Sequence, residues 1–312
     1  MLPERTWLQW VRRQALAFAP TRRSELRLGI GDDAALVRPR RGRELVLTTD
    51  LLVEDVHFLR ARDPAPACGR RLATRALSDL AAMGAEPLAL LVSAALPPDL
   101  PTAWARGFYR GFLAACREAG ATLIGGDSSA SLHGIVLDAV GVGQVPAGKA
   151  FRRTGARPGD RIFVSGPLGE AAWGRELVHD QQPMASAAAR HARARHLRPR
   201  ARWELGAALR GRASAAMDLS DGLAVDLDHL CRESGVGAEI LADSLPAPAG
   251  LQRALYGGED YELLFTLPPH RRLPRASGHR EIGRIIAGSG CWLRDTSGRR
   301  RRLSPRGWQH WA

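Results

Sequence analysis

The chain is poor in lysine, with Lys149 the only one among 312 residues, and it has just four cysteines. Cys68, Cys116, Cys231 and Cys291 are widely scattered, with no CxxC pair and no histidine cluster beside them. That spacing excludes a disulfide framework and a cysteine-based zinc site, and it predicts reduced, buried thiols in a cytoplasmic protein. Long apolar runs are missing too. The longest, "LALLVSAAL" between Pro87 and Pro97, falls far short of the roughly 18 residues a membrane span needs, and "MLPERTWLQWVRRQ" carries charge where a signal peptide is apolar. The net charge of +13 is arginine, read first as a bias of the whole sequence. "RHARARHLRPRAR" (Arg190 to Arg202) and "GRRRR" (Gly298 to Arg302) keep a nucleic-acid partner in view, but neither has helix-turn-helix or zinc-finger spacing, and nucleic acid is not expected.

What is present is a globular composition, 45% hydrophobic and 25% charged, long enough for two packed cores. Trp7, Trp10, Val11, Ala15 and Phe18 line one face of an opening helix. "ELVLTTDLL", "LALLVSAAL", "ATLIGGD" and "GIVLDAVGVGQV" read as strands, alternating with helices striped by Leu72, Ala76, Leu80 and Met83 and by Trp104, Phe108, Phe112 and Ala115. "RTGARPGDRIFVSGPLG" then gathers proline, glycine and charge, which predicts domains over 1–150 and 151–312. Beyond it "DRIFVSG" and "DYELLFTL" read as strands, and Arg200 to Leu209 and "SDGLAVDLDHLCRES" as helices. Both halves are mixed α and β, with no internal repeat.

Carboxylates recur beside apolar runs: "GIGDDAALV", "VLTTDLL" (Asp50), "LSDLAAMGA" (Asp79), "LIGGDSS" (Asp127), "MDLSDGLA" (Asp218, Asp221) and "YGGEDYELLF" (Glu259, Asp260). Asp79 lies at the edge of its helix's apolar stripe, so it should point toward the core. Asp127 follows two glycines at the end of a strand, where a ligand can approach the backbone. Asp218, Ser220 and Asp221 precede a helix, whose exposed N–H groups attract anions. Each has a plain alternative: Ser220 or Asp221 as a helix cap, Asp32 or Asp33 as a turn residue, Asp79 paired with an arginine. Taken together, converging carboxylates repel unless cations stand between them, and an all-oxygen set favours magnesium, which binds phosphates. "GQVPAGKA" has P-loop spacing, but Ala150 replaces the magnesium-binding Ser or Thr and Pro146 removes a backbone donor.

With "GIGDDAA", "TTDLLVEDVHF", "LSDLAAMGA", "LIGGD", "RRTGARPGD", "DLSDGL" and "GGEDYEL" in family order, the chain resembles the thiamine-monophosphate kinases, in the superfamily of aminoimidazole ribonucleotide synthetase and selenophosphate synthetase. Asp55 stands where that family usually has glycine. The chain lacks the cysteine-containing, glycine-rich N-terminal segment of selenophosphate synthetase and the C-terminal cysteine of the hydrogenase-maturation relatives. The resemblance implies a two-domain α/β (mixed α+β) synthetase-superfamily fold. Its N-terminal domain would bind ATP and magnesium and pair its sheet with a second subunit's in a homodimer. The C-terminal α/β domain would complete a nucleotide and substrate site in the groove between domains.

It also implies that Asp33, Thr48, Asp50, Asp79, Asp127, Asp218 and Asp221 hold several magnesium ions. Thr49, Tyr109, Gly126, Asp127, Arg153 and Ser220 would contact ATP, and His57, Glu259 and Trp308 the substrate. Read without the family, Tyr109 and His57 fit core roles, Trp308 terminal packing and Glu259 an arginine pair. The implied reaction moves the ATP γ-phosphoryl group to thiamine monophosphate, with no residue acting as general base, because a phosphate monoester of second pKa about 6 is already largely dianionic. Another ATP-dependent enzyme of the superfamily and a metal-dependent phosphohydrolase are the alternatives.

Overall fold

Residues 4–19, 24–273 and 278–309 are described by a computed structural model of the chain. They divide into two compact units, Met1–Leu80 with Ala85–Gly148, and Ala81–Gly84 with Lys149–Ala312.

In the first unit the elements run α1 (Glu4–Phe18), β1 (Leu26–Leu28), β2 (Leu36–Val37), β3 (Arg43–Val53), α2 (Ala65–Ala82), β4 (Glu86–Leu96), α3 (Thr102–Glu118), β5 (Thr122–Ala130) and β6 (Val136–Pro146). A four-stranded sheet has the order β3-β6-β4-β5, with β4 and β5 parallel and the other pairs antiparallel. One residue in two along β3 faces inward, so Thr48, Asp50 and buried Leu52 share a face while Leu45, Leu47, Thr49 and Leu51 are exposed on the other. The inner face is covered by α2: a Cβ on Gly141 of β6 would lie 3.0 Å from Thr48 and 3.3 Å from Ala76. α2 and α3 also touch backbone to backbone. A Cβ on Gly69 would stand 1.9 Å from the Phe108 carbonyl oxygen, and one on Gly111 1.8 Å from that of Pro66.

The second unit runs β7 (Arg161–Val164), α4 (Glu170–His179), α5 (Ala187–Leu197), α6 (Trp203–Leu209), β8 (Ala215–Leu219), α7 (Leu223–Ser234), β9 (Gly237–Leu241), α8 (Leu251–Tyr256), β10 (Glu262–Leu267), β11 (Arg280–Ile286), β12 (Gly290–Arg294) and β13 (Arg300–Arg302). Its seven-stranded sheet has the order β13-β12-β9-β11-β7-β10-β8, antiparallel except where β12 meets β9. The continuous apolar runs of β7 and β10 follow from burial on both faces. Ile162, Val164 and Leu264 join Leu223, Leu227 and Leu230 of α7 in one core, while Phe163, Leu263 and Phe265 join Phe151, Leu209 and Ala216 in the other. Each fully buried leucine of α7 contributes about 1.5–3 kcal/mol, which fixes the helix beside the sheet.

Three expectations are corrected. Asp127 lies inside β5, which continues to Ala130, so it is a strand residue and not a strand end. The expected helix at Arg200 begins at Trp203, and the one at Ser220 begins at Leu223.

Candidate functional site

The first unit presents two polar sets on opposite faces of its sheet. On the inner face the Thr48 hydroxyl donates a short hydrogen bond to the Asp79 carboxylate on α2, and Arg75, one turn earlier, lies 3.3 Å from Asp50. Asp79 thus does point inward, as its place at the stripe's edge requires. Burial, then the charge of Asp79, pushes the Asp50 carboxyl up to about 7 against the opposing pull of Arg75. A carboxylate that unwilling to ionise beside another is the electrostatic signature of a place that gains from a cation.

On the outer face, Ser93 of β4 pairs in register with both Asp127 of β5 and Asp138 of β6. These three, with Ala94, Ala95, Ser129 and Val136, line an open cavity of ≈ 170 Å³. The Thr49 hydroxyl donates to Asp138 at 2.6 Å. Asp138 is therefore a site residue that the sequence reading missed, although its alternation with buried Leu137 and Ala139 marks its face. Gly126 has a packing reason of its own: a Cβ there would strike the Val92 carbonyl oxygen at 1.9 Å. Asp33 is exposed in the turn between β1 and β2.

His57 sits between β3 and α2, its Nδ1 accepting the Val53 N–H at 3.0 Å, which leaves the proton of the neutral ring on Nε2. Nearby Asp55 has φ +63°, the left-handed region that favours glycine and that aspartate tolerates better than most. Its place at a family glycine is thereby explained.

In the second unit β8 ends at Leu219, and the chain passes through Ser220, Asp221 and Gly222 into α7. Gly222, not Ser220 or Asp221, holds the N-cap position there, and it has no side chain to cap with. That work falls to Asp226, one turn inside, whose carboxylate accepts the N–H groups of Asp221 at 3.2 Å and Gly222 at 3.1 Å. Burial, then the charges of Asp218 and Asp221, hold the Asp226 carboxyl well above the usual range. Three carboxylates therefore share one corner, with Asp226 unforeseen because "LAVDLDHL" reads as an ordinary leucine stripe. Main-chain bonds bring the expected substrate residues to the same corner. Glu259 N–H donates to Ser220 O at 2.8 Å, and Trp308 N–H to Asp221 O at 3.0 Å. Glu259 has φ +67°, and its Oε2 lies 3.7 Å from Nδ1 of buried His196. The Arg175 guanidinium stands 5.8 Å from the centre of the Trp308 ring.

Other expected residues are placed differently. Tyr109 is 4% exposed, packed edge-on against Trp7, Trp10 and Phe108, and burial pushes its hydroxyl pKa up. It packs as a core aromatic, the role that fits it without the family. Arg153 is exposed on a single 3-10 turn, Arg153–Gly155, fixed where Ser234 Oγ donates to its carbonyl at 2.5 Å. The P-loop spacing is accidental, since Gly143–Val145 lie within β6. The arginine-rich segment from Arg190 is largely α5, and two of its cations turn inward: Arg195 (2.6 Å) and Arg202 (2.7 Å) both bind Glu262, which is 0% exposed and held below its usual range despite burial. No helix among the described residues is long and apolar enough to cross a membrane.

The inner-face set of Thr48, Asp50 and Asp79, the outer-face set of Ser93, Asp127 and Asp138, and the corner of Asp218, Asp221 and Asp226 all offer carboxylate or hydroxyl oxygens, the donor chemistry of magnesium. Residues 31–145 match the AIR synthase related protein, N-terminal domain, and residues 157–290 the C-terminal domain of the same family. The thiamine-monophosphate kinase of Escherichia coli (strain K12) is 40% identical over 311 residues, covering 93% of this chain and 94% of that protein. The crystal structure of thiamine-monophosphate kinase from Stenotrophomonas maltophilia K279a superposes with a TM-score of 0.81 at 37% identity, over 94% of this chain and 96% of that one. AaThiL complexed with AMPPCP and TMP gives 0.80 at 34% identity, over 99% and 97%. With both domains matched in order and such identity along nearly its whole length, the chain belongs to the thiamine-monophosphate kinase family of AIR synthase related proteins.

Proposed function

We propose that this chain transfers the γ-phosphoryl group of ATP directly to the phosphate of thiamine monophosphate, giving thiamine diphosphate and ADP. The observation that carries the reading is the pair of oxygen-only sets, Thr48–Asp50–Asp79 and Asp218–Asp221–Asp226, in a chain whose relative was solved with AMPPCP and TMP. Thr48, Asp50 and Asp79 on the inner sheet face, Asp127 on the outer face, Asp33 in its turn, and Asp218 and Asp221 in the second unit would hold magnesium, so the first unit's ligands fall into more than one ion site. Magnesium bound there supplies neutralisation of phosphate charge.

The chain's own residues have the remaining tasks. Asp226 fixes the main chain at Asp221 and Gly222, so the carboxylates beside it are held in place before anything binds. Arg153, exposed and anchored by its own carbonyl, would bring positive charge to the nucleotide, joined by Thr49, Gly126 and Ser220. His57 would contact the substrate from the first unit, Glu259 would offer its carboxylate, and Trp308 a ring face suited to the thiazolium cation. No general base is required, because the accepting phosphate is already largely dianionic, so the barrier lies in aligning two anions.

The exposed Leu45, Leu47 and Leu51 on the outer sheet face support pairing with a second copy, and a cytoplasmic homodimer is the form proposed. ADP release from ATP should require both thiamine monophosphate and magnesium and stop with chelator. Equal ADP release without thiamine monophosphate would assign the site to hydrolysis.

A further inference from the structure

Two of the four thiols meet in the second unit. Cys231 of α7 and Cys291 of β12 have their Sγ atoms 3.9 Å apart, with Cys291 donating its S–H to Cys231. Both are buried, at 1% and 2% exposure. A disulfide bond is about 2.05 Å long, so an approach of roughly 2 Å would join them. The local charge is already balanced, since Arg232 holds Asp228 at 2.7 Å on the same helix. Access lies along the sheet edge. β13 is three residues long, every one exposed, and it is the outermost strand beside β12, while Leu303 just after it donates to the Cys291 carbonyl at 2.8 Å. Short edge strands open locally at little cost.

We propose that Cys231 and Cys291 are an oxidation site, a dithiol that hydrogen peroxide converts to an intramolecular disulfide. Cys231, which receives the S–H of its neighbour, reacts first: its thiol and H2O2 give Cys231–SOH and water. The Cys291 sulfur then attacks the sulfenic sulfur, the S–O bond breaks, the thiol proton leaves with the hydroxyl as a second water, and the S–S bond forms. Two electrons pass from the two sulfurs to peroxide. The hydrogen bond to Cys231, then burial, pushes the Cys291 thiol up, so it keeps its proton until that second step. Peroxide is small and neutral enough for a buried pair, whereas glutathione disulfide must first leave a bulky mixed disulfide there. The cross-link ties a late turn of α7 to β12. Asp226, five residues and about 7.5 Å back along the helix, keeps its hydrogen bonds.

The full chain, treated with hydrogen peroxide, quenched and alkylated under denaturing conditions, should retain two of its four thiols. Peptide mass mapping should show a Cys231–Cys291 link 2 Da below the reduced pair, reversed by dithiothreitol. Cys231→Ala and Cys291→Ala should each abolish the link, with circular dichroism reporting that the variants fold. Glutathione disulfide at the same concentration should give at least tenfold less cross-link, and the oxidised protein should unfold at higher urea than the reduced one. Sulfinic or sulfonic acid at either cysteine without a link, or a link through Cys68 or Cys116, would overturn the proposal. These readouts involve no nucleotide or thiamine compound, so they stand apart from the kinase reading.

Discussion

Asp226 holds Asp221 through its main chain: its carboxylate accepts the Asp221 N–H at 3.2 Å, and the Gly222 N–H beside it at 3.1 Å. A residue buried to 1% exposure thereby fixes a partly exposed one just before the helix begins. Asp226→Asn keeps an acceptor and removes a charge that burial opposes, so its melting temperature should match wild type or exceed it. The same variant should need several-fold more magnesium for half-maximal activity. Asp226→Ala removes the cap as well and should lose about 1 kcal/mol of stability. Thermal melts and magnesium titrations check both, and identical behaviour of the two variants would remove the capping role.

On the inner sheet face, Asp79→Asn should lower magnesium-dependent ADP formation by at least about a hundredfold while the chain remains folded. It also removes a charge that raises Asp50, so the Asp50 carboxyl should move down from about 7. Carbon-detected NMR of the aspartate carboxyls would show that movement, and an unmoved Asp50 would separate the two residues.

Gly126 and Asp127 are adjacent, yet their variants should fail for different reasons. Gly126→Ala drives a methyl group into the Val92 carbonyl and should cut soluble yield and melting temperature. Asp127→Asn, exposed at the cavity, should melt like wild type and lose activity by orders of magnitude. A stable but inactive Gly126→Ala would instead give Gly126 a direct role toward the nucleotide.

Trp308→Ala should raise KM for thiamine monophosphate much more than KM for ATP, because its ring face suits a cation and already has Arg175 beside it. Equal increases for both substrates would count against stacking.

Asp260 offers a pH test away from the proposed metal ligands. It is 3% exposed, accepts the Gly169 N–H at 2.7 Å at the start of α4, and burial pushes it up to about 7. The unfolded chain ionises this group from about pH 4, the folded chain only near 7. Its contribution to stability is therefore fullest below pH 4 and declines as pH rises to 7. Urea midpoints should fall from pH 5 to 7.5 in wild type and fall less in Asp260→Asn.

The long elements were legible because apolar periodicity is a direct record of burial: the stripes on α2 and α3 and the runs of β4, β6 and β10 each stand in the structure. α5 was not, since "AAARHARARHL" reads as a basic tract and nothing in it reveals that Arg195 turns inward to Glu262, 67 residues away. The motif aspartates announced themselves beside apolar runs. Asp138 and Asp226 did not, because a carboxylate within a regular alternation or stripe looks like any polar residue until its cross-strand or capping partner is known. Asp127 was read as a strand end because two glycines usually stop a strand, yet here the close approach of β4 to β5 calls for one of them.

The most direct test is to follow the thiamine species by chromatography after mixing the chain with ATP, thiamine monophosphate and magnesium, with and without chelator. Thiamine diphosphate formed one for one with ADP, and only without chelator, is the predicted result. ADP and free phosphate with thiamine monophosphate unchanged would contradict phosphoryl transfer to this acceptor.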